Sequence, residues 1–113
     1  MSERLPASVE ATAIMRRVEA EGGFAAVLRK GDPDRGALTL IVRSRGQMKG
    51  VLERELAADF TYRWSLKRLD ASAESDSVAE LIARRERFDA DFWLIELDIA
   101  EPERFIAETT RSG

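Results

Sequence analysis

The segment Phe92–Ile99 does most to limit the folds open to this chain. Trp93, Ile95, Leu97 and Ile99 alternate on one side of an extended backbone. Phe92 and Leu94 occupy the other side before Glu96 and Asp98 take it over. Strand side chains point to opposite faces with a period of two. A segment that is apolar on both sides at its start therefore belongs inside a sheet, and its acidic end is expected to be wetter. A second alternating run covers Thr61–Arg68, with Tyr62, Trp64 and Leu66 facing one way and Thr61, Arg63, Ser65 and Lys67 the other. That is the pattern of a strand with one buried face. Phe24–Lys30 and Ala37–Arg43 read as two further strands, paired as a hairpin through the turn formers of Gly31-Asp-Pro-Asp-Arg-Gly36. Ser44-Arg-Gly46 turns the chain into Gln47–Glu55, a weaker strand interrupted by Gly50.

Two principal helices complete the pattern. The first is expected from Pro6, whose fixed φ suits a first helical turn, to Glu21, where Gly22-Gly23 supplies a left-handed cap. Ala11, Ile14, Met15 and Val18 share its inner face. The second is expected to open on a capping box formed by Ser77 and Glu80, with Val78, Leu81, Ile82 and Phe88 as its apolar stripe. Pro102–Glu108 adds a short terminal helix or an edge segment. The polar residues 69–76 read as a mobile loop and 109–113 as a disordered tail. The expected fold is a single α+β domain over residues 1–113, in the order α-β-β-β-β-α-β. Its mainly antiparallel sheet has four to five strands, and both helices lie on one face. Such a sheet leaves an open face or edge, where a second subunit often binds. Trp64 and Trp93 are expected to anchor the core.

Composition narrows the chemistry. Without cysteine, disulfides and thiolate metal sites are excluded. Without histidine, no Ser-His or Cys-His nucleophile pair can form. Catalysis would fall to carboxylates, to Lys30, Lys49, Lys67 or Tyr62, or to a metal. No phosphate-binding or dinucleotide-type glycine pattern is present. The longest apolar run, Phe24–Leu28, is far below the roughly 20 residues that span a bilayer, and Met1–Pro6 does not open a signal peptide. A cytoplasmic protein with no membrane association is expected. The net charge of -3 is unevenly spread. Residues 1–50 hold 9 Lys/Arg against 6 Asp/Glu (+3), whereas residues 51–113 hold 9 against 15 (-6). A pI near 5.1 argues against nucleic acid as a partner. The polarity suits self-association, a charged protein partner, or pairing within the chain.

Several segments together resemble a known family. They are Arg4-Leu-Pro-Ala7, Gly22-Gly-Phe-Ala-Ala-Val-Leu28, Gly31-Asp-Pro-Asp34 and Ile82-Ala-Arg-Arg-Glu-Arg-Phe-Asp-Ala-Asp-Phe-Trp93. The family is that of the short bacterial proteins grouped as domain of unknown function 1491. The likeness covers nearly the whole chain and is weakest from Gln47 to Asp76. It departs at Ala90, where the family usually has Pro, which loosens the turn before the last strand. The resemblance implies a bacterial, cytoplasmic, single-domain protein and brings no activity with it.

The candidate site residues are charged. At about 100° per residue, Arg84 and Arg87 fall away from the apolar stripe of the second helix, while Arg85 lies on it between Leu81 and Phe88. A charge on a core-facing stripe needs a partner or a route to water. Asp89 is the nearest partner for Arg85, with Glu96 or Asp98 also in reach. Helices lying side by side would join Arg84 and Arg87 to Arg16 and Arg17 in one basic patch suited to phosphate or an acidic partner. Glu19, Glu21 and Glu86 would dilute it. Asp89, Asp91, Glu96 and Asp98, with Asp32 and Asp34 nearby, are the candidate ligands for a hard cation. Their simpler use is in turns and in pairs with neighbouring Arg or Lys. No cofactor is expected. These features favour a non-catalytic interaction module, acting as a homodimer or as an adaptor for another protein. The alternative is a carboxylate- or metal-dependent enzyme on a phosphate-bearing substrate, with Arg84 or Arg85 as anion clamp. It requires the four carboxylates to converge.

Overall fold

A computed structural model describes residues 5–56, 58–67 and 74–111. The elements are α1 (Ala7–Ala20), β1 (Phe24–Arg29), β2 (Leu38–Ser44), β3 (Gln47–Leu56), β4 (Tyr62–Lys67), α2 (Glu74–Phe88), β5 (Trp93–Asp98) and α3 (Pro102–Arg111). The fold is α+β, with a five-stranded, mainly antiparallel sheet in the order β1-β5-β2-β3-β4. Strand β5 lies inside the sheet, as its two-sided apolar start requires. It runs parallel to β2, with Leu40 beside Ile95 and Val42 beside Leu97, and antiparallel to β1.

This order corrects the expected β1–β2 hairpin, because β5 sits between the two. The physical reason is burial. Leu38–Val42 is buried at every position, so β2 needs an apolar strand on each side, and β5 can fill that place while β1 cannot. The Gly31–Gly36 loop therefore wraps another segment and does not turn back on itself. The Asp32 N–H donates to the Asp91 carbonyl at 2.9 Å, and the Trp93 indole N–H donates to the Asp32 carbonyl at 2.8 Å. At Gly31 and Gly36 the backbones approach so closely that a Cβ would overlap the Asp91 carbonyl oxygen.

The helices occupy both faces, which corrects their expected placement on one. Ala7, Ala11 and Val18 of α1 and Phe105 of α3 pack with Leu40, Val42, Trp93, Ile95 and Leu97. Leu81 of α2 packs with Ile41, Val51, Phe92 and Leu94. Neighbouring strand positions point to opposite faces, so α1 and α3 cover one side and α2 the other. Trp93 is buried in the first cluster and Trp64 packs against it half-buried.

Helix ends differ from expectation as well. Helix α2 begins at Glu74, so Ser77 lies within its first turn and is not its N-cap. Of the stretch 69–76, residues 74–76 are helical, while 69–73 lie outside the described residues. Thr109–Arg111 belong to α3, whose inward Phe105 and Ile106 carry it past Glu108; residues 112–113 lie outside the described set. Among the described residues, no helix is long and apolar enough to cross a membrane.

Candidate functional site

Strand β1 ends the sheet on one side. The hydrogen bonds of β5 reveal which backbone groups of β1 remain open. The Trp93 N–H donates to Ala37 O at 2.7 Å and the Ile99 N–H to Arg43 O at 3.0 Å, so these alternate positions face β2. Leu94, Glu96 and Asp98 then turn toward β1, because successive strand residues direct their polar groups to opposite sides. The register sets Phe24 against Asp98 and Ala26 against Glu96. Phe24 and Ala26 are thus bonded inward, and Ala25 and Val27 point their N–H and C=O groups out of the sheet.

The side chains along this edge are apolar. Phe24 is 59% exposed, Val27 41% and Leu28 48%. A register shift between Val27 and Arg29 closes the regular stretch. Arg29 does not guard the edge. Its guanidinium donates to the carbonyls of Phe92 and Ala90, stacks 4.4 Å above the Phe92 ring and lies 3.7 Å from Glu86. Beside Phe24, between the α1–β1 and β2–β3 turns, lies an open groove of about 400 Å³ lined in part by Gly22, Gly23, Arg45 and Ile99.

The arginines do not form the expected basic patch. Arg16 and Arg17 sit on α1, Arg84 and Arg87 on α2, and the sheet separates the two helices. Arg17 lies 3.5 Å from Glu21 and 3.7 Å from Glu108, with its guanidinium over the Phe105 ring. Arg84 Nη2 reaches Glu53 Oε1 at 2.7 Å. Arg85 does not take the expected partner Asp89; its Nη1 lies 3.5 Å from Glu53 Oε2. Arg85 points inward from α2, and Glu53 on β3 is the carboxylate beneath it. Asp89 is engaged elsewhere, accepting the N–H groups of Ala37 and Asp91 at 3.0 and 2.8 Å.

The remaining carboxylates are dispersed in the same way. Glu96 accepts from Arg43 Nε at 2.7 Å. Asp98 accepts the N–H groups of Arg45 and Gly46 at 3.0 and 2.9 Å, holding the tight β2–β3 turn in which both residues have positive φ. Asp32 accepts from the backbone of Asp34 and Arg35, and those bonds, Arg35 first, hold its carboxyl below the usual range. Among the described residues, no group of three or more acidic side chains is placed to hold a metal ion.

Two charge clusters were not legible in the sequence, one on a buried carboxylate and one half-buried. Glu53 is one of only two buried polar or charged residues among those described, and it carries both Arg84 and Arg85. Glu10 of α1 pairs with Arg54 of β3, whose guanidinium also lies 5.2 Å from the Trp64 ring centroid. Arg85 on an apolar stripe was the one available signal, since it demanded a carboxylate from somewhere.

Residues 5–107 match the family described as "Protein of unknown function (DUF1491)", and the chain belongs to that family. It is similar to protein Atu0922 from A. tumefaciens, solved in solution, at 30% identity and TM-score 0.71 over 88% of this chain and 89% of that one. A crystal structure of a DUF1491 family protein from Caulobacter crescentus is 28% identical, with TM-score 0.69 over 84% of this chain and 88% of that one. An NMR structure of a DUF1491 family protein from the same organism is 27% identical, with TM-score 0.73 over 89% and 91%. No curated protein matches the chain.

Proposed function

We propose that this protein is a non-catalytic interaction module of the bacterial cytoplasm, working as a homodimer or an adaptor, and that its contact surface is the outer edge of β1. The observation that carries this reading is the outward-facing backbone of Ala25 and Val27, without a strand partner among the described residues and set among exposed Phe24, Val27 and Leu28. Open strand edges recruit further strands through main-chain hydrogen bonds, while flanking side chains give selectivity. The dispersed carboxylates take away the convergence that the enzyme alternative needs. The separation of Arg16 and Arg17 from Arg84 and Arg87 by the sheet weighs against one basic patch on the helices as that surface.

The test is capture of the tagged protein's partner from its native bacterial cytosol, read by mass spectrometry. Wild type should retain one stoichiometric protein, or a second copy of itself. Val27→Lys should lose it, because a charge on the edge blocks strand addition, and Arg84→Glu/Arg87→Glu should keep it. Equal capture by wild type and Val27→Lys would overturn the reading, as would a wild type that is monomeric and retains nothing.

A further inference from the structure

Taking β1 as the contact edge, and so resting on the reading above, we infer that the strand it receives is β1 of a second copy. The two strands run antiparallel about a two-fold axis through Ala26, joining both sheets into one. Four features of the edge select this occupant and this register.

Hydrogen bonding comes first. With the axis at Ala26, Ala25 of each copy lies opposite Val27 of the other. These are the two residues whose N–H and C=O groups point outward, so each pairing closes both of its bonds and four bonds form in all. Any one-residue slip would set outward groups against inward ones and exchange the faces of the side chains.

Shape agrees with that register. Ala26 meets Ala26 at the axis, in a non-hydrogen-bonded position where Cα atoms approach to about 4.5 Å, and its methyl leaves room. Within the regular stretch the apolar side chains then find one another, Ala25 beside Val27, with exposed Phe24 and Leu28 flanking them.

Charge distinguishes a second copy from an arbitrary extended peptide. Lys30 follows the C-terminal end of β1 and Glu19 and Glu21 precede its N-terminal end, all exposed. Antiparallel pairing about Ala26 brings the C-terminal end of each β1, which Lys30 follows, to the N-terminal end of the other, which Glu21 precedes. A two-fold contact makes that attraction twice, which is the self-complementarity an isologous interface requires.

The edge is short. Six residues of β1 bury less than the roughly 1,200 Å² of a standard stable interface. The dimer is therefore expected to be concentration-dependent, assembling in the micromolar range and above.

The chain has no cysteine, so Ala26→Cys places a single thiol on the axis, at a Cα separation within the roughly 4.4–6.8 Å that a disulfide spans. Under mild oxidation of the full chain, Ala26→Cys should give a disulfide-linked dimer. Ala13→Cys, exposed on the outer side of α1, should lag it by at least tenfold. Sedimentation equilibrium of wild type should show a reversible dimer, and Val27→Lys should weaken it at least tenfold while matching the wild-type melting curve at concentrations where both are monomeric. A wild type that stays monomeric at the highest concentration, or a dimer in which Ala26→Cys links no faster than Ala13→Cys, overturns the inference. The interaction reading then survives if Val27→Lys still abolishes capture of another protein. It falls with the dimer if Val27→Lys changes nothing.

Discussion

The sheet ends in two edges of different chemistry. On β4, Arg63 and Lys67 share the face opposite Trp64 and Leu66, and the Arg63 guanidinium is held 3.0 Å from Asp59. On β1 the exposed side chains are Phe24, Val27 and Leu28, and the nearest arginine folds back onto the Phe92 ring. Charge along a strand edge discourages a further strand, and its absence permits one. The interior repeats the contrast. Toward β4, charged pairs flank both faces of β3, buried Glu53 with Arg84 and Arg85 on one and half-buried Glu10 with Arg54 on the other. Toward β1, the structure is fixed by backbone contact of the Gly31–Gly36 loop with Asp91 and Phe92. One side is built to stay closed, and the other is rigid behind an open edge.

The rigid backing of β1 is the easiest part to break. Gly31→Ala forces a methyl into the Asp91 carbonyl, against backbone that cannot swing aside as a side chain would. Overpacking of this kind is expected to cost about 3 kcal/mol, read as a lowered urea midpoint. A cost within about 0.5 kcal/mol, as for a neutral surface change, would mean that the 89–93 loop yields and that β1 has no fixed support.

The β4 side should respond next most strongly. Glu53→Gln keeps the shape but removes the charge under two guanidiniums. Hydrogen bonds to charged groups contribute about 1.5–3 kcal/mol, and Arg84 is half in water, so a loss of about 2 kcal/mol is expected in denaturant unfolding. No loss would show that Arg84 and Arg85 are satisfied by solvent, and the buried polarity of that side would then have no structural weight.

Much of this contrast was legible in the sequence where it depends on local pattern, and little where it depends on pairing. The two-sided run at Phe92–Leu94 placed β5 inside the sheet, and alternation at Thr61–Arg68 separated Trp64 and Leu66 from Arg63 and Lys67. The insertion of β5 between β1 and β2 was not readable, because Gly31-Asp-Pro-Asp-Arg-Gly36 carries the same turn formers whether it closes a hairpin or wraps a distant loop. The placement of α2 followed the same logic. Its stripe shows that one face is buried, not which side of the sheet buries it. Glu53 looked like an ordinary strand carboxylate until the fold set it beneath Arg85. The open edge was expected in general terms, but naming β1 required the strand order and the hydrogen bonds of Trp93 and Ile99.

The finest discrimination between the edges lies in the turn that leads into β4. Asp59 accepts from the Thr61 hydroxyl at 2.6 Å, from the Thr61 N–H at 3.1 Å and from Arg63 Nη2 at 3.0 Å. Those bonds, the Thr61 hydroxyl foremost, draw its carboxyl down to about 2. An unfolded Asp titrates near 3.9. Because the folded value is depressed, the contribution of this group is fully present above about pH 4 and disappears as the pH falls through about 2. The side chain is exposed and the effect on global stability is small, so the site itself is the better observable. A carboxyl-detected NMR titration should place the Asp59 midpoint near 2 in the wild type and move it toward 3.9 in Thr61→Val, which removes the strongest of the three bonds. A wild-type midpoint already near 3.9 would mean that Asp59 does not hold Arg63. The β4 edge would then be guarded by a loose charge, and its contrast with β1 would rest on Phe24, Val27 and Leu28 alone.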